Sequence, residues 1–98
     1  MEKLNLYIVK SITGKYFKIG VTSKLKPRLD TINKDLGGIN KDEIFKISSD
    51  DNWTIRLLEK ELIHYFSSFK YDINSNGKTE IFSIECLNIL TDYIKNKI

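Results

Sequence analysis

Apolar and polar positions recur along this chain with two different periods, and the changes of period predict its elements. Leu4-Asn5-Leu6-Tyr7-Ile8-Val9 is a run of strand formers bounded by lysines, and it reads as a strand. Ser11-Ile12-Thr13-Gly14 supplies turn residues, after which Tyr16-Phe17-Lys18-Ile19-Gly20-Val21 reads as a second strand, closing a hairpin. Period-two alternation puts Phe17, Ile19 and Val21 on one face, toward a core. Tyr16, Lys18 and Gly20 fall on the other, expected to be polar and open. Leu29, Ile32 and Leu36 then recur at helical spacing, with Pro27 suited to the first turn and Gly37-Gly38 as the stop.

Ile44-Phe45-Lys46-Ile47 predicts a short third strand, and Asp50-Asp51-Asn52 offers N-caps for a long helix running to about Phe69. Its expected apolar stripe takes in Trp53, Leu57 or Leu58, Leu62, Tyr65 or Phe66, and Phe69. Asn74-Ser75-Asn76-Gly77 reads as a turn, with a short extended piece over residues 79–82. Ser83 is placed as the cap of a last helix bearing Leu87, Leu90, Ile94 and Ile98. The order predicts an α+β fold: a small, three-stranded, mainly antiparallel sheet flanked by about three helices.

Composition fits one domain spanning residues 1–98. The chain has 41% hydrophobic and 30% charged residues with one proline, enough apolar content for a core and too much for general disorder. No apolar run approaches the ~18 residues of a membrane span. The single cysteine, Cys86, has no intrachain disulfide partner, and no Cys/His spacing suggests zinc. The first residues lead directly into strand-like alternation, which predicts a chain without a signal peptide and an intracellular (cytoplasmic) location.

The net charge of +3 hides an asymmetry. Residues 1–28 carry seven basic residues against one acidic, and the remainder nine against twelve. A basic first third suits an anion-binding face. Arg28 is one of only two arginines among sixteen basic residues, and a guanidinium presents the planar two-pronged donor that suits phosphate. Lys24 and Lys26 stand at the start of the same predicted helix, with Lys15 in the hairpin turn. These lysines, together with Tyr16, are expected nucleic-acid contacts. His64 lies about 140° around the helix from Glu59, so a surface or packing role is expected for it. Cys86 is expected to be a small buried residue.

The ordered set Tyr7, then Lys18-Ile19-Gly20, then Arg28-Leu29, then Leu58-Glu59-Lys60-Glu61-Leu62-Ile63 resembles the successive motifs of the GIY-YIG endonuclease superfamily. Asn5-Leu6-Tyr7 stands at the first motif, without its glycine, and Lys18-Ile19-Gly20 at the second, with lysine in place of tyrosine. The Lys-Ile-Gly form, together with Glu80-Ile81-Phe82, is similar to a phage DNA-binding-domain branch of that superfamily. Ile32 stands where many members carry tyrosine or histidine.

The resemblance implies a metal-dependent nuclease that binds nucleic acid, most naturally DNA, and hydrolyses phosphodiester bonds. In it Glu59 holds one Mg²⁺ or Mn²⁺ ion, Tyr7 is the general base, and Arg28 with Lys18 steadies the phosphate. A phenol titrates near ~10, so Tyr7 needs a nearby ammonium such as Lys18 to favour its phenolate. Tyr16 is a second phenol on that face. Two alternatives accompany this reading: a nucleic-acid-binding module of the same fold that cleaves weakly or not at all, and a phage-type interaction or inhibitor protein.

Overall fold

A computed structural model describes residues 3–35, 37–70 and 81–97, with the side chains of residues 35 and 41–43 left aside. The expected hairpin is formed by β1 (Asn5–Ser11) and β2 (Tyr16–Thr22), paired antiparallel with Tyr7 opposite Gly20 and Val9 opposite Lys18. Its turn closes through the Gly14 N–H donating to the Ser11 carbonyl at 3.0 Å. Helix α1 (Leu25–Asp35) starts two residues before Pro27, so the proline occupies the first turn, where its missing N–H leaves no helical bond unmade. Gly37 and Gly38, both at positive φ, end it, and the Gly38 N–H donates to the Asn33 carbonyl at 2.9 Å.

β3 (Ile39–Ser48) is longer than the expected four-residue run and pairs antiparallel with β1. Helix α2 (Asn52–Tyr65) is capped by Asp51, whose carboxylate accepts from the Trp53 N–H at 3.0 Å and the Thr54 hydroxyl at 2.9 Å. The helix stops short of Phe69, and a separate 3₁₀ turn, Ser67–Phe69, follows it. Ile81 and Phe82 belong to a strand, β4 (Ile81–Ser83), which pairs antiparallel with β2. The sheet among the described residues therefore has four strands, ordered β3-β1-β2-β4, where three were expected. Ser83 does cap the last segment. Its hydroxyl accepts from Glu85 N–H at the start of a 3₁₀ turn leading into α3 (Leu87–Lys97). The expected turn at residues 74–77, Glu80, Leu36 and Ile98 lie outside the described residues.

Both faces of the sheet are covered. On one, Leu6, Ile8, Phe17, Ile19 and Phe82 pack against Ile55, Leu58 and Leu62 of α2 and Leu90 and Ile94 of α3. On the other, Tyr7, Val9 and Ile81 pack with Ile32, Leu25 and Leu29 of α1. This second cluster corrects the expectation of an open polar face. Lys18 is only 8% exposed, and Tyr16 packs against the same cluster. The reason lies in α1, whose apolar stripe returns across the hairpin it has just left. The stripe of α2 keeps the expected Leu58, Leu62 and Phe66 but runs through Ile55 instead of Trp53. Ile55, Leu58 and Leu62 are its buried residues, while Trp53 is 69% exposed and Tyr65 62%.

Candidate functional site

Four sequence segments bring their polar residues to one small cleft. Tyr7 of β1, Lys18, Gly20 and Val21 of β2, Arg28 of α1 and Glu59 of α2 line a hollow of about 120 Å³. That is room for several waters, a hydrated ion or a phosphate group. Larger hollows lie elsewhere, among them two of about 330 and 360 Å³. Neither gathers a phenol, a guanidinium and a carboxylate, so chemistry rather than size singles out the small cleft.

Each side chain is delivered by local structure. Tyr7 sits on the central strand and is 1% exposed, held within the second apolar cluster. Its ring lies over Gly20, its partner across the hairpin. A Cβ on Gly20 would overlap the Tyr7 Oη and Cζ and come within 2.8 Å of Cε2. Positive φ is found at Gly14, Gly37 and Gly38 but not at Gly20, so Gly20 is there for space rather than for backbone freedom. Lys18 lies two residues before Gly20 on the same face, a diagonal cross-strand neighbour of Tyr7, a separation of typically ~7–8 Å that long side chains span.

Arg28 is on the exposed side of the first turns of α1. That helix is started by Thr22, whose hydroxyl accepts from the Lys24 N–H at 3.1 Å and donates to the Lys24 carbonyl at 3.3 Å; the Arg28 N–H also donates to that carbonyl. The end of β2 thus fixes the start of the arginine's helix. Glu59 is half-buried, one turn after Ile55 and next to Leu58, at the border of the buried stripe of α2. Asn52 ties the start of that helix to the sheet by accepting the Leu4 N–H at 3.0 Å.

The other acid of α2, Glu61, has a different task. Two residues from Glu59 is ~200° of helix, so it faces away from the cleft. It accepts a hydrogen bond from the Tyr93 hydroxyl at 3.1 Å and lies 3.5 Å from the Lys97 ammonium, joining α2 to α3. The charge of Glu61 holds the Lys97 ammonium above its ordinary range. The Tyr93 phenol is raised by desolvation first and then by the Glu61 hydrogen bond. Structural and candidate functional carboxylates are thereby separated.

The remaining nominated residues do not all converge. Lys24 and Lys26 are exposed at the start of the arginine's helix. Lys15 and Tyr16 stand at the far end of β2 from Gly20 and are absent from the cleft lining. Tyr16 is half-buried, opposite Ser83 in β4, rather than on an open face. His64 is exposed and meets the Tyr65 ring edge-on. Cys86 is fully buried, and burial pushes its thiol up to about 11, so it is no nucleophile at neutral pH.

Two features were missed in the sequence. Val21 lines the cleft although its apolar alternation assigned it wholly to the core. A second groove of about 200 Å³, lined by Trp53, Arg56, Leu57, Glu59 and Lys60, adjoins the first through Glu59. Its signal was present as the spacing 53, 56, 57, 60, out of phase with Ile55, Leu58 and Leu62.

Among the described residues no group of three or more His, Cys, Asp or Glu gathers to form a protein cage for a metal. No described helix is long and apolar enough to cross a membrane. No curated protein and no solved structure matches the chain. The model of the T5orf172 domain family, however, matches residues 5–96, nearly the whole sequence, and the chain belongs to this phage-associated, nuclease-related family.

Proposed function

We propose that this domain is a GIY-YIG-type nuclease, with a Lys-Ile-Gly second motif, that cleaves phosphodiester bonds, with DNA as the first candidate substrate. The supporting observation is convergence. Tyr7, Lys18, Arg28 and Glu59, nominated from separate segments, line one cleft of a size suited to a phosphate and its waters. The family is nucleic-acid-associated, which supports the same partner.

The donor set suits a hard divalent ion. One half-buried carboxylate, Glu59, beside room for several waters matches Mg²⁺ or Mn²⁺, which hold substrate phosphate and water with few protein ligands. When bound, such an ion neutralises the charge that grows on the phosphate oxygens. The chain's own residues supply the rest. Arg28, exposed and bidentate by nature, grips the non-bridging oxygens and turns the phosphorus toward the cleft floor. The Tyr7 Oη, as phenolate, takes the proton of the attacking water while the P–O bond to the leaving group breaks and the departing oxygen is protonated from solvent. The Lys18 ammonium, on the same sheet face, adds positive charge against the phosphate. Tyr7 is held rigid by its buried ring.

A second reading, binding without cleavage, is favoured by one observation: lysine stands where the resembling motif has its second tyrosine. Plasmid nicking in Mg²⁺ or Mn²⁺ by wild type and Glu59→Gln separates the two. Metal-dependent nicking by wild type, lost in Glu59→Gln, is expected. Equal nicking by both proteins exposes a contaminant and defeats the nuclease reading, whereas salt-sensitive binding with no nicking establishes the second.

A further inference from the structure

A phosphate seated in the small cleft between Tyr7, Arg28 and Glu59 leaves the sugar and base of its nucleotide to rest on the surface beside it. On α2 that surface is built from Trp53, Arg56, Leu57 and Lys60, which line a groove of about 200 Å³ sharing Glu59 with the cleft. We infer that this ridge is a base-stacking platform, on which Trp53 and Leu57 receive an unpaired base of the strand whose phosphate occupies the cleft, while Arg56 and Lys60 hold its flanking phosphates.

The composition of the ridge argues for this occupant. Trp53 is the chain's only tryptophan and is 69% exposed, with Leu57 40% exposed beside it, although α2 has a separate buried stripe for its core contacts. Trp53 and Glu59 are six residues apart, about 9 Å along the helix axis, within reach of neighbouring nucleotides on one strand. An indole face with a guanidinium and an ammonium close by is the combination that binds single-stranded nucleic acid. A second copy of this chain fits less well. A two-fold axis would put the same patch, with Arg56 and Lys60, on both sides of the contact. A paired base has its faces covered by neighbours in the stack, so single-stranded or frayed nucleic acid is preferred over blunt duplex.

This inference rests on the cleft being a phosphate site, so its test is made with chelator present and does not depend on cleavage. The full chain is titrated with single-stranded oligothymidylate of ~12 nucleotides, within the usual footprint of such sites. Trp53 emission, which comes from a single residue, is read alongside the anisotropy of a labelled strand. Saturable quenching is expected, with weaker affinity for the corresponding blunt duplex. Trp53→Ala should weaken strand binding about 5- to 150-fold, the worth of one stacked base, and Trp53→Phe should restore most of it. Because Trp53 is exposed, circular dichroism should show both variants folded.

Binding without a change in emission overturns the platform, as does undiminished binding by Trp53→Ala or no affinity for the strand at all. An emission change that follows protein concentration alone, with no oligonucleotide, assigns the ridge to self-association and also overturns it. Quenching in a protein that never nicks plasmid would remove the nuclease reading and leave the platform standing. Nicking without quenching would do the reverse.

Discussion

Gly20→Ala adds one methyl group at the point where β2 passes beneath the Tyr7 ring. That methyl would overlap Oη and Cζ and lie 2.8 Å from Cε2, closer than folded proteins tolerate. The neighbour that must yield is no flexible surface chain but a ring that is 1% exposed and packed in the second apolar cluster. Overpacking of this kind costs about 1–3 kcal/mol. Replacing a strand glycine by alanine otherwise gains about 0.5–1 kcal/mol from the unfolded chain, and Gly20 has an ordinary φ that alanine accepts. Together these terms bracket a loss between zero and about 2.5 kcal/mol, and a methyl that meets two atoms of a buried ring at once falls in the upper part of that range, about 1–2.5 kcal/mol or a fall in Tm of about 4–20 °C for a chain of this length. Far-UV circular dichroism is the suitable probe, since Trp53 is too exposed to report on the core. The decisive comparison repeats the substitution in Tyr7→Leu, which lacks Cζ and Oη. There Gly20→Ala should cost nothing or stabilise slightly. An unchanged Tm in the single variant, or the same loss in both backgrounds, refutes the claim that Gly20 makes room for Tyr7.

The two acids of α2 should respond in opposite ways. Glu59→Gln should abolish metal-dependent cleavage with Tm almost unchanged. Glu61→Gln should leave cleavage intact and lower Tm by a few degrees, because it weakens the tie to Tyr93 and Lys97. The same tie sets an alkaline pH dependence. The Lys97 and Tyr93 values are raised in the folded state, so the stability they supply is present below about pH 10 and lost as pH climbs through those raised values. Urea midpoints at pH 8 and 11 should fall further for wild type than for Glu61→Gln. Cys86 should resist a thiol reagent at pH 8 in the folded protein and react once urea unfolds it, and rapid native modification would contradict its burial. Nucleic-acid affinity should fall with log salt at a slope of about −3 to −4, made less steep by roughly one unit in Arg28→Ala, as read by gel shift or anisotropy.

What the sequence disclosed and what it concealed divide along physical lines. The hairpin, the helix-ending glycines at 37 and 38, and the Asp51 and Ser83 caps rest on short-range chemistry, and short-range patterns predicted them. The cleft residues were nominated by resemblance to motifs, and their convergence follows from a hairpin placing Tyr7 opposite Gly20 between two helices. The covering of the Lys18 face was hidden because it depends on where α1 returns after leaving the hairpin, a tertiary fact. For the same reason β4 was expected only as an extended piece; its pairing with β2 spans more than sixty residues of chain. Trp53 was placed in the apolar stripe of α2 on helical spacing. The phase of Ile55, Leu58 and Leu62, all unmistakably apolar, was the better guide and would have placed Trp53 on the solvent side.

The most direct question is whether Tyr7 and Glu59 act as one device. Cleavage of supercoiled plasmid under saturating enzyme, with Mn²⁺ supplied, can be timed for wild type, Tyr7→Phe, Glu59→Gln and the double variant. Members of one catalytic unit are strongly non-additive. Each single substitution should slow cleavage by about two orders of magnitude or more, and the double variant should be no slower than the worse single one. Losses that multiply in the double variant, or Tyr7→Phe cutting at the wild-type rate, would contradict a shared site.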